Sequence, residues 1–331
     1  MTIQITIIGL RQVGTSIGLA LKEHKELVRR VGHDREAAVA RQAEKLGALD
    51  QVSFNLPSAT RQADLVILTE PLDQLLDTLR IIAPDLREGA VVMDTSPVKA
   101  NLIAEAVRIL PPERHFISLL PAINPAYLLD PASGPEGAHE DLFRDGVLLI
   151  AHPTGANPEA IKLAGDLANL LGAYPLFTDP YEADGLSATA ILLPELLSAI
   201  LIHATATQPG WREARKIAGS NYALASLPAA DRLTAAGLTK ALAFNRENTL
   251  RLLDDVSAGL DELRAALKEP DEAALQAYLE RAADLRAEWL QQRSSASWRG
   301  EELPQNRAPT GNVFTRLIGL QPKDSGEKRK R

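Results

Sequence analysis

Hydrophobic residues in the first half of the chain come in short β-branched runs separated by amphipathic segments. The runs predict strands at residues 3–9, 27–34, 63–70, 89–96, 115–122, 147–153 and 173–179. Between the early runs, residues 15–24 and 36–47 have helical periodicity, and Gly47 is a typical helix C-terminus. A further helical pattern begins at Asn157. Strict alternation of strands and helices predicts a parallel sheet with helices on both faces.

The second half of the chain has helical patterns almost throughout residues 184–294. The last two helices carry apolar residues three and four positions apart, with charges between them. One such stripe consists of Leu253, Val256, Leu260, Leu263 and Leu267. A dimer interface and an intramolecular bundle core explain this stripe equally well. The sequence therefore predicts an α/β domain at residues 1–179, an all-α domain at residues 180–300 and a partly disordered tail at residues 301–331.

Composition narrows the class of protein without changing this fold. A net charge of −7, with 45% hydrophobic and 24% charged residues, is typical of a soluble protein and disfavours nucleic-acid or membrane binding. The absence of cysteine excludes disulfides and thiolate metal sites, fits a cytoplasmic location, and leaves no metal site expected. The N-terminus reads as a first strand, not a signal peptide. The apolar run from Ile191 is interrupted by Pro194 and Glu195, so we expect it to be too short to span a bilayer.

The turn between the first strand and the first helix reads GLRQVG over residues 9–14. In a dinucleotide-binding turn, the first glycine permits the tight turn and the last lets helix and strand pack closely. These are Gly9 and Gly14 here, and the strand–turn–helix context indicates a Rossmann-type domain. The middle position normally leaves the backbone amides open to the pyrophosphate, but it holds Arg11. The arginine either folds outward and adds positive charge beside the phosphates, or occupies the pocket.

The second predicted strand ends in Asp34, about 20 residues after the glycines. An acidic residue at this position accepts hydrogen bonds from the adenosine ribose and repels a 2′-phosphate, which favours NAD over NADP. Arg35 follows directly and would weaken that preference. As an alternative, Asp34 caps the following helix.

Further along the chain come the segments ADLVILTEPLD, GAVVMDTSPVK, HFISLLPAINP and PGWREARKIAGS. Together with ITIIGL and VGHD, their order and spacing over residues 3–300 resemble the prephenate/arogenate dehydrogenase family. The resemblance implies an NAD(P)-binding domain, a helical dimerisation domain and a substrate cleft between them. The reaction it implies is an oxidative decarboxylation on the way to tyrosine, in which hydride leaves the hydroxyl-bearing ring carbon while carbon dioxide departs.

This resemblance also implies site residues. The expected cofactor contacts are Gly9, Arg11, Val13, Gly14, Asp34, Arg35, Thr69 and Pro71. A carboxylate substrate needs a cationic clamp, for which Arg212, Arg215 and Lys216 are the candidates, although they equally fit a solvated helix face. Ser96 and Asn124 are weak catalytic candidates that could bind a ligand.

The chain departs from the family pattern where a general base is expected. The substrate alcohol must lose a proton, and a histidine titrating near neutrality suits that task. Leu120 stands where the family has this histidine, and His115 lies at the distal start of a strand. The other departures are Leu192-Leu193-Pro194-Glu195 for histidine-leucine-proline-histidine, Ala183-Asp184 for histidine-aspartate, Pro97 for serine and Lys216 for arginine.

These observations leave two hypotheses. The first is an active, cytoplasmic, homodimeric NAD(P)-dependent dehydrogenase of the prephenate/arogenate type. The second is a non-catalytic or substrate-shifted relative that binds a small acid in the interdomain cleft. An oxidoreductase of a neighbouring Rossmann group fits less well, because the helical-domain motifs match this family. Loss of a general base costs about 10² to 10⁴ in rate, so weak turnover is compatible with the first hypothesis.

Overall fold

The structure is a computed structural model that describes residues 2–229, 232–268 and 271–296. Its first half contains one sheet of eight strands in the order β3-β2-β1-β4-β5-β6-β7-β8. The strands are β1 Ile3–Ile8, β2 Val28–His33, β3 Gln51–Val52, β4 Leu65–Leu68, β5 Val91–Asp94, β6 His115–Pro121, β7 Val147–Ala151 and β8 Tyr174–Phe177.

Strand direction divides the sheet into two parts. Strands β1 to β6 are parallel, whereas β7 pairs with β6 in antiparallel register and β8 runs parallel to β7. The predicted parallel sheet is therefore confirmed for most of its strands, and one antiparallel pair lies at this edge. For β7 to run parallel to β6, the chain between them would need a crossover connection, which is usually a helix. The described chain between β6 and β7 instead holds two short 3₁₀ turns, Pro125–Tyr127 and Pro135–Gly137.

Helices cover both faces of the sheet and then form the rest of the described chain. Those beside the sheet are α1 Gln12–Ala20, α2 Ala37–Lys45, α3 Leu56–Thr60, α4 Leu72–Ile82, α5 Ala100–Ile109 and α6 Pro158–Leu170. The later ones are α7 Pro180–Ser187, α8 Leu193–Ala206, α9 Trp211–Ile217, α10 Ser220–Ser226, α11 Arg232–Phe244, α12 Arg246–Lys268 and α13 Glu272–Ser295. The predicted tail at residues 301–331 lies outside the described residues.

Two apolar cores lie on the two faces of the sheet, because successive side chains of a strand point to opposite faces. Ile5 and Ile7 of β1 pack on the face covered by α1, α2 and α6. Ile8 contributes to the other face, with Val66 and Leu68 of β4 and the apolar sides of α4 and α5. Burial on both faces explains why these strands read as continuous hydrophobic runs.

The turn after β1 holds α1 unusually close to the strand. Gly9 has φ +88°, a left-handed conformation that favours glycine. A Cβ on Gly14 would lie 1.9 Å from the carbonyl oxygen of Gly9, so no side chain fits there. This contact fixes the direction in which the N-terminus of α1 points.

Asp184 joins the helical half to the sheet. Lys99, the N-cap residue of α5, has no capping side chain of its own. The carboxylate of Asp184 instead accepts hydrogen bonds from the amides of Lys99 (2.6 Å) and Ala100 (3.1 Å). Asn245 of the α11–α12 junction donates in turn to the Asp184 carbonyl at 2.7 Å. A carboxylate at a helix N-terminus is favourable, so this contact stabilises the junction of the two halves.

Pro180–Ala206 is one continuous helical segment of 27 residues. By length and composition alone it is apolar enough to cross a membrane, and 22% of its most apolar stretch is buried in the chain. The expectation that Pro194 interrupts it is wrong. A widened π turn at Ala188–Leu192 ends two residues before the proline. This turn accommodates a residue that has no amide hydrogen and whose ring would crowd the preceding turn of a regular helix.

Apolar side chains remain exposed on the later helices. Of the predicted stripe on α12, Leu260 is 56% and Leu267 is 64% exposed. On α13, Leu279 and Trp289 are also exposed, and the described chain buries no residue of that helix. The intramolecular packing of the single chain therefore leaves much of this apolar surface in solvent.

Gly14→Ala tests the close contact of α1 with β1. We expect a loss of roughly 3 kcal/mol in the free energy of unfolding, at the upper end of the cost of overpacking, because the added methyl group overlaps the Gly9 carbonyl. Gly210→Ala is the matched control, since nothing lies within 4 Å of its added Cβ. Chemical denaturation measures both. Equal stability of the two variants would contradict the geometry.

Candidate active site

Two neighbouring cavities open at the carboxyl ends of the parallel strands. Strand order reverses between β1 and β4, and ligands of open α/β sheets bind at such a switch point. The first cavity, of about 410 Å³, lies beside Asp34 and Arg35. The second, of about 350 Å³, lies between the glycine turn and the helical half. Both are lined by Arg11, Thr69, Glu70 and Pro71, so they form one crevice.

Register places the predicted strand-end residues at this crevice. Ile8 pairs with His33 and with Leu68, and Leu68 pairs with Asp94. The residues that follow these strands consequently lie along one edge of the sheet. They include Gly9, Asp34, Thr69 and Thr95, all of which line one or both cavities.

Asp34 is held in the wall of the first cavity by the backbone. One carboxylate oxygen accepts from the amide of Leu10 at 2.7 Å, and the other accepts from the amide of Glu36 at 2.8 Å. Glu36, not Asp34, is the N-cap residue of α2, so the helix-capping alternative is not what the structure contains. Each carboxylate oxygen can accept a second hydrogen bond, which leaves capacity for a ribose hydroxyl.

Arg35 in the first cavity is paired with Glu70. Its Nε lies 3.4 Å from a carboxylate oxygen of Glu70, and its guanidinium donates to the hydroxyl of Thr78 at 3.3 Å. Burial raises the pKa of Glu70, while its hydrogen bond with Thr78 and the positive charge of Arg35 oppose the rise. This ion pair holds the Arg35 guanidinium beside Glu70, whose negative charge offsets it.

A loop carbonyl covers the N-terminus of α1. The amide of Gln12 donates to the carbonyl of Ser133 at 3.1 Å, and the Gln12 side chain donates to the carbonyl of Gly137 at 3.0 Å. The Arg11 guanidinium lies 3.4 Å from the Ser133 hydroxyl, so its side chain follows this loop while still lining both cavities. Helix N-terminal amides are the usual ligands of a pyrophosphate. The glycine turn fits a dinucleotide, but Ser133 must release the Gln12 amide.

The second cavity joins the strand ends to the helical half. Its sheet side includes Val13 of α1, Pro71 at the start of α4, and Ser96, whose hydroxyl donates to the Val98 carbonyl at 3.1 Å. Leu192 and Glu195 line it from the π turn and from α8. Gly237, Leu238 and Ala241 of α11 complete that side.

Lys99 supports the floor beneath Ser96. It is fully buried, and its Nζ donates to the carbonyls of Ser96 and, at 2.7 Å, of Leu119. Burial lowers the pKa of Lys99, whereas the carboxylates of Asp94 and Asp184 oppose the shift. The lysine thus ties the ends of β5 and β6 together and fixes the backbone at Ser96.

Several predicted residues lie outside the crevice. Asn124 lines neither cavity; its side chain accepts from the amide of Ala126 at 3.0 Å and donates to the carbonyl of Asp141 at 3.2 Å. Leu120 packs on the apolar core, and His115 starts β6 at the opposite edge of the sheet. The geometry therefore gives Asn124 no catalytic role in the single chain.

The three basic candidates for a substrate clamp lie on α9. Arg212 is 85% exposed, lies 3.9 Å from Glu213, and lines neither cavity. Lys216 forms an ion pair with the same glutamate, and Arg215 is exposed. In the single chain these residues form the solvated face that was the alternative interpretation.

Three residues of the crevice were not predicted from the sequence as site residues. Glu195 stood out only as an interruption of the apolar run and as a departure from the family pattern, and Glu70 only as part of a motif. Ser133 has no sequence signal, because its role depends on where a loop folds.

Comparisons with known proteins agree with this geometry. Residues 17–175, which follow the glycine turn, match the family model "Prephenate dehydrogenase, nucleotide-binding domain". The chain is 24% identical over 295 residues to the prephenate dehydrogenase of Bacillus subtilis (strain 168), covering 85% of this chain and 75% of that protein. It is 26% identical over 272 residues to the cyclohexadienyl dehydrogenase of Zymomonas mobilis, covering 81% and 89%.

Solved structures share the fold. The crystal structure of prephenate dehydrogenase from A. aeolicus in complex with hydroxyphenyl propionate and NAD+ superposes with a TM-score of 0.74 at 18% identity, covering 87% of this chain and 98% of that one. A parallel sheet with a crevice at its switch point, closed by helices, is the architecture in which dinucleotides bind. The chain is therefore similar to prephenate dehydrogenases in residues 17–175 and, at 24% and 26% identity, to a prephenate and a cyclohexadienyl dehydrogenase over most of its length.

The Ser133 loop gives a testable prediction. NAD binding should speed hydrogen exchange in residues 133–137, because the cofactor's phosphates replace the loop carbonyls on Gln12, while β5 stays protected. Gln12→Ala, which removes the bond to Gly137, should raise NAD affinity about five-fold, the value of one net hydrogen bond of about 1 kcal/mol. Gln276→Ala on the exposed α13 is the control. Saturating NAD with unchanged exchange in the loop would refute the displacement.

Proposed function

We propose that this protein is an NAD-dependent dehydrogenase that oxidatively decarboxylates prephenate or arogenate in tyrosine biosynthesis. The observation that carries the proposal is the crevice itself. It joins a dinucleotide turn to a second cavity closed by the helical half. The curated relatives, which align over most of this chain, bear the names prephenate and cyclohexadienyl dehydrogenase.

In this proposal residues 1–179 hold the cofactor and residues 180–300 close the substrate cavity. The amides after Gly9 and the charge of Arg11 would bind the diphosphate, and Asp34 would bind the ribose. When bound, the cofactor supplies the two-electron oxidant. Asp34 disfavours a 2′-phosphate, and Arg35 is already paired with Glu70. Both features favour NAD over NADP.

Substrate carboxylates require cations, and Arg11 is the cationic side chain among the described residues that line the second cavity. Arg212, Arg215 and Lys216 remain candidate substrate ligands only in an assembly, because in the single chain they line neither cavity. Ser96 would orient the substrate from the end of β5.

A binding test followed by a turnover test examines this function. Calorimetry should show NAD binding about ten-fold or more tightly than NADP, as expected for about 1.4 kcal/mol of charge repulsion. Prephenate and arogenate are then offered separately, and nicotinamide absorbance is followed. Absence of binding to either cofactor would exclude a dehydrogenase.

A second candidate function has its own supporting observation. Among the described residues, no histidine lines either cavity. NAD binding without turnover of either acid would favour a non-catalytic relative that binds a small acid in the crevice.

We further propose a cytoplasmic homodimer formed through the helical half. The exposed apolar residues of α8, Leu197 and Ile200 among them, support an interface. A membrane location fits less well, because Ala183 and Ala188 of the same helical segment are fully buried in the chain's own core. The remaining α8 has 14 residues, about 21 Å at 1.5 Å per residue, shorter than the roughly 30 Å of a bilayer core.

The oligomeric state tests this interface. Ile200→Glu should convert a dimer to monomers in analytical ultracentrifugation, because it buries a charge in an apolar contact. Ile81→Glu on α4 is the matched control, with 50% exposure against 47% for Ile200. A wild-type monomer, or an unchanged dimer in Ile200→Glu, would contradict the placement.

A further inference from the structure

The cavity that faces the helical half offers few groups able to take up a proton. Its described lining contains three ionisable side chains: Arg11, Glu70 and Glu195. An arginine stays protonated in proteins and cannot act as a base. Oxidation of a secondary alcohol requires the hydroxyl proton to go to an acceptor in reach. The choice therefore lies between two carboxylates.

Glu70 is committed to another interaction. It pairs with Arg35 at 3.4 Å, and its side chain is 5% exposed. Arg35 belongs to the first cavity, beside Asp34. Glu70 lines both cavities, but one of its carboxylate oxygens pairs with Arg35 on the adenosine side of the crevice, and the other is buried from solvent.

Glu195 has no such partner. Within the described part of the chain it has no hydrogen-bond or ion-pair partner, although it is half-buried. It lies in the first turn of α8, directly after the π turn, and Leu192, Leu238 and Ala241 line the cavity with it. On the sheet side of the same cavity are Gly14 and Ser96. An unpartnered carboxyl group on the wall of a binding cavity is available to a ligand.

We propose that Glu195 is the general base of the reaction and replaces the histidine that the Leu120 position lacks. This inference rests on the proposed dehydrogenase function. The carboxylate takes the proton of the substrate hydroxyl, and a bound oxidised nicotinamide would accept the ring hydrogen together with the C–H electron pair as hydride. The C–C bond to the departing carboxylate then breaks, its electrons enter the ring, and carbon dioxide leaves. The phenolate oxygen formed by aromatisation recovers the proton from Glu195, which restores the base.

The surroundings of Glu195 suit this task. Burial raises the pKa of its carboxyl group above the ordinary value of 4.5 and so moves it toward neutrality, where a base is most effective. The other charged groups on the cavity wall are Arg11 and Glu70, and burial is the cause of the shift. Activity that depends on the ionised carboxylate is present above this pKa and is lost as the pH falls through it.

Glu195→Gln tests the assignment, because it keeps the shape of the side chain and removes the proton acceptor. We expect kcat to fall by about 100-fold or more, and the acidic limb of the kcat/KM profile to disappear. NAD affinity measured by calorimetry should not change. Glu195→His should restore part of the rate with a shifted acidic limb. Glu272→Gln, an exposed carboxyl group on α13, is the control and should behave as wild type.

A readout independent of turnover comes from ¹³C NMR of glutamate carboxyl groups in the cofactor-free protein. The resonance absent in Glu195→Gln should titrate with a pKa above 4.5. An ordinary or lowered pKa of this carboxyl group would overturn the role of Glu195. So would wild-type kinetics of Glu195→Gln, provided that the wild type is active. Either result leaves the proposed dehydrogenase function standing. Wild-type protein that binds NAD but oxidises neither acid overturns the proposed function, and the base with it.

Discussion

The approach of α1 to the carbonyl of Gly9 is the constraint on which the whole crevice depends. Gly14 lies so near this oxygen that a side chain would overlap it, and the contact points the N-terminus of α1 at the switch point of the sheet. Parallel register then brings the ends of β2, β4 and β5 to the same edge. Asp34, Thr69 and Ser96 reach the crevice for this reason, although they are far apart in the chain.

Much of this fold follows from local patterns in the sequence. Runs such as IQITII are buried on both faces of a sheet, and that burial is what makes them recognisable. The direction of β7 was not predictable in this way, because hydrophobic pattern carries no information on strand polarity. β3, with two residues at the sheet edge, is too short to give a pattern. The continuation of the helix through Pro194 was not predictable either, since the π turn that precedes this proline is a property of the packed helix.

The candidate site likewise contains residues that the sequence predicts and residues that only the structure places. Gly9, Asp34 and Thr69 line the crevice because each follows the end of a parallel strand, and Val13 joins them from the first turn of α1. Ser133 and Glu195 come from a loop and a helix whose placement depends on tertiary packing, so their roles required the structure. The same packing determines which polar groups line this site. Glu195 stands where the resemblance implies a histidine, and the Ser133 carbonyl occupies an amide that a diphosphate needs.

The central claim is that the N-terminus of α1 is a diphosphate site reached by displacing the Ser133 carbonyl. A crystal structure of the protein grown with NAD measures this most directly. Our account predicts phosphate oxygens within hydrogen-bonding distance of the Gln12 amide, with Ser133 moved away and Arg11 beside the phosphates. Ser133 still bound to Gln12 at about 3.1 Å, with no cofactor density at saturating NAD, would contradict it.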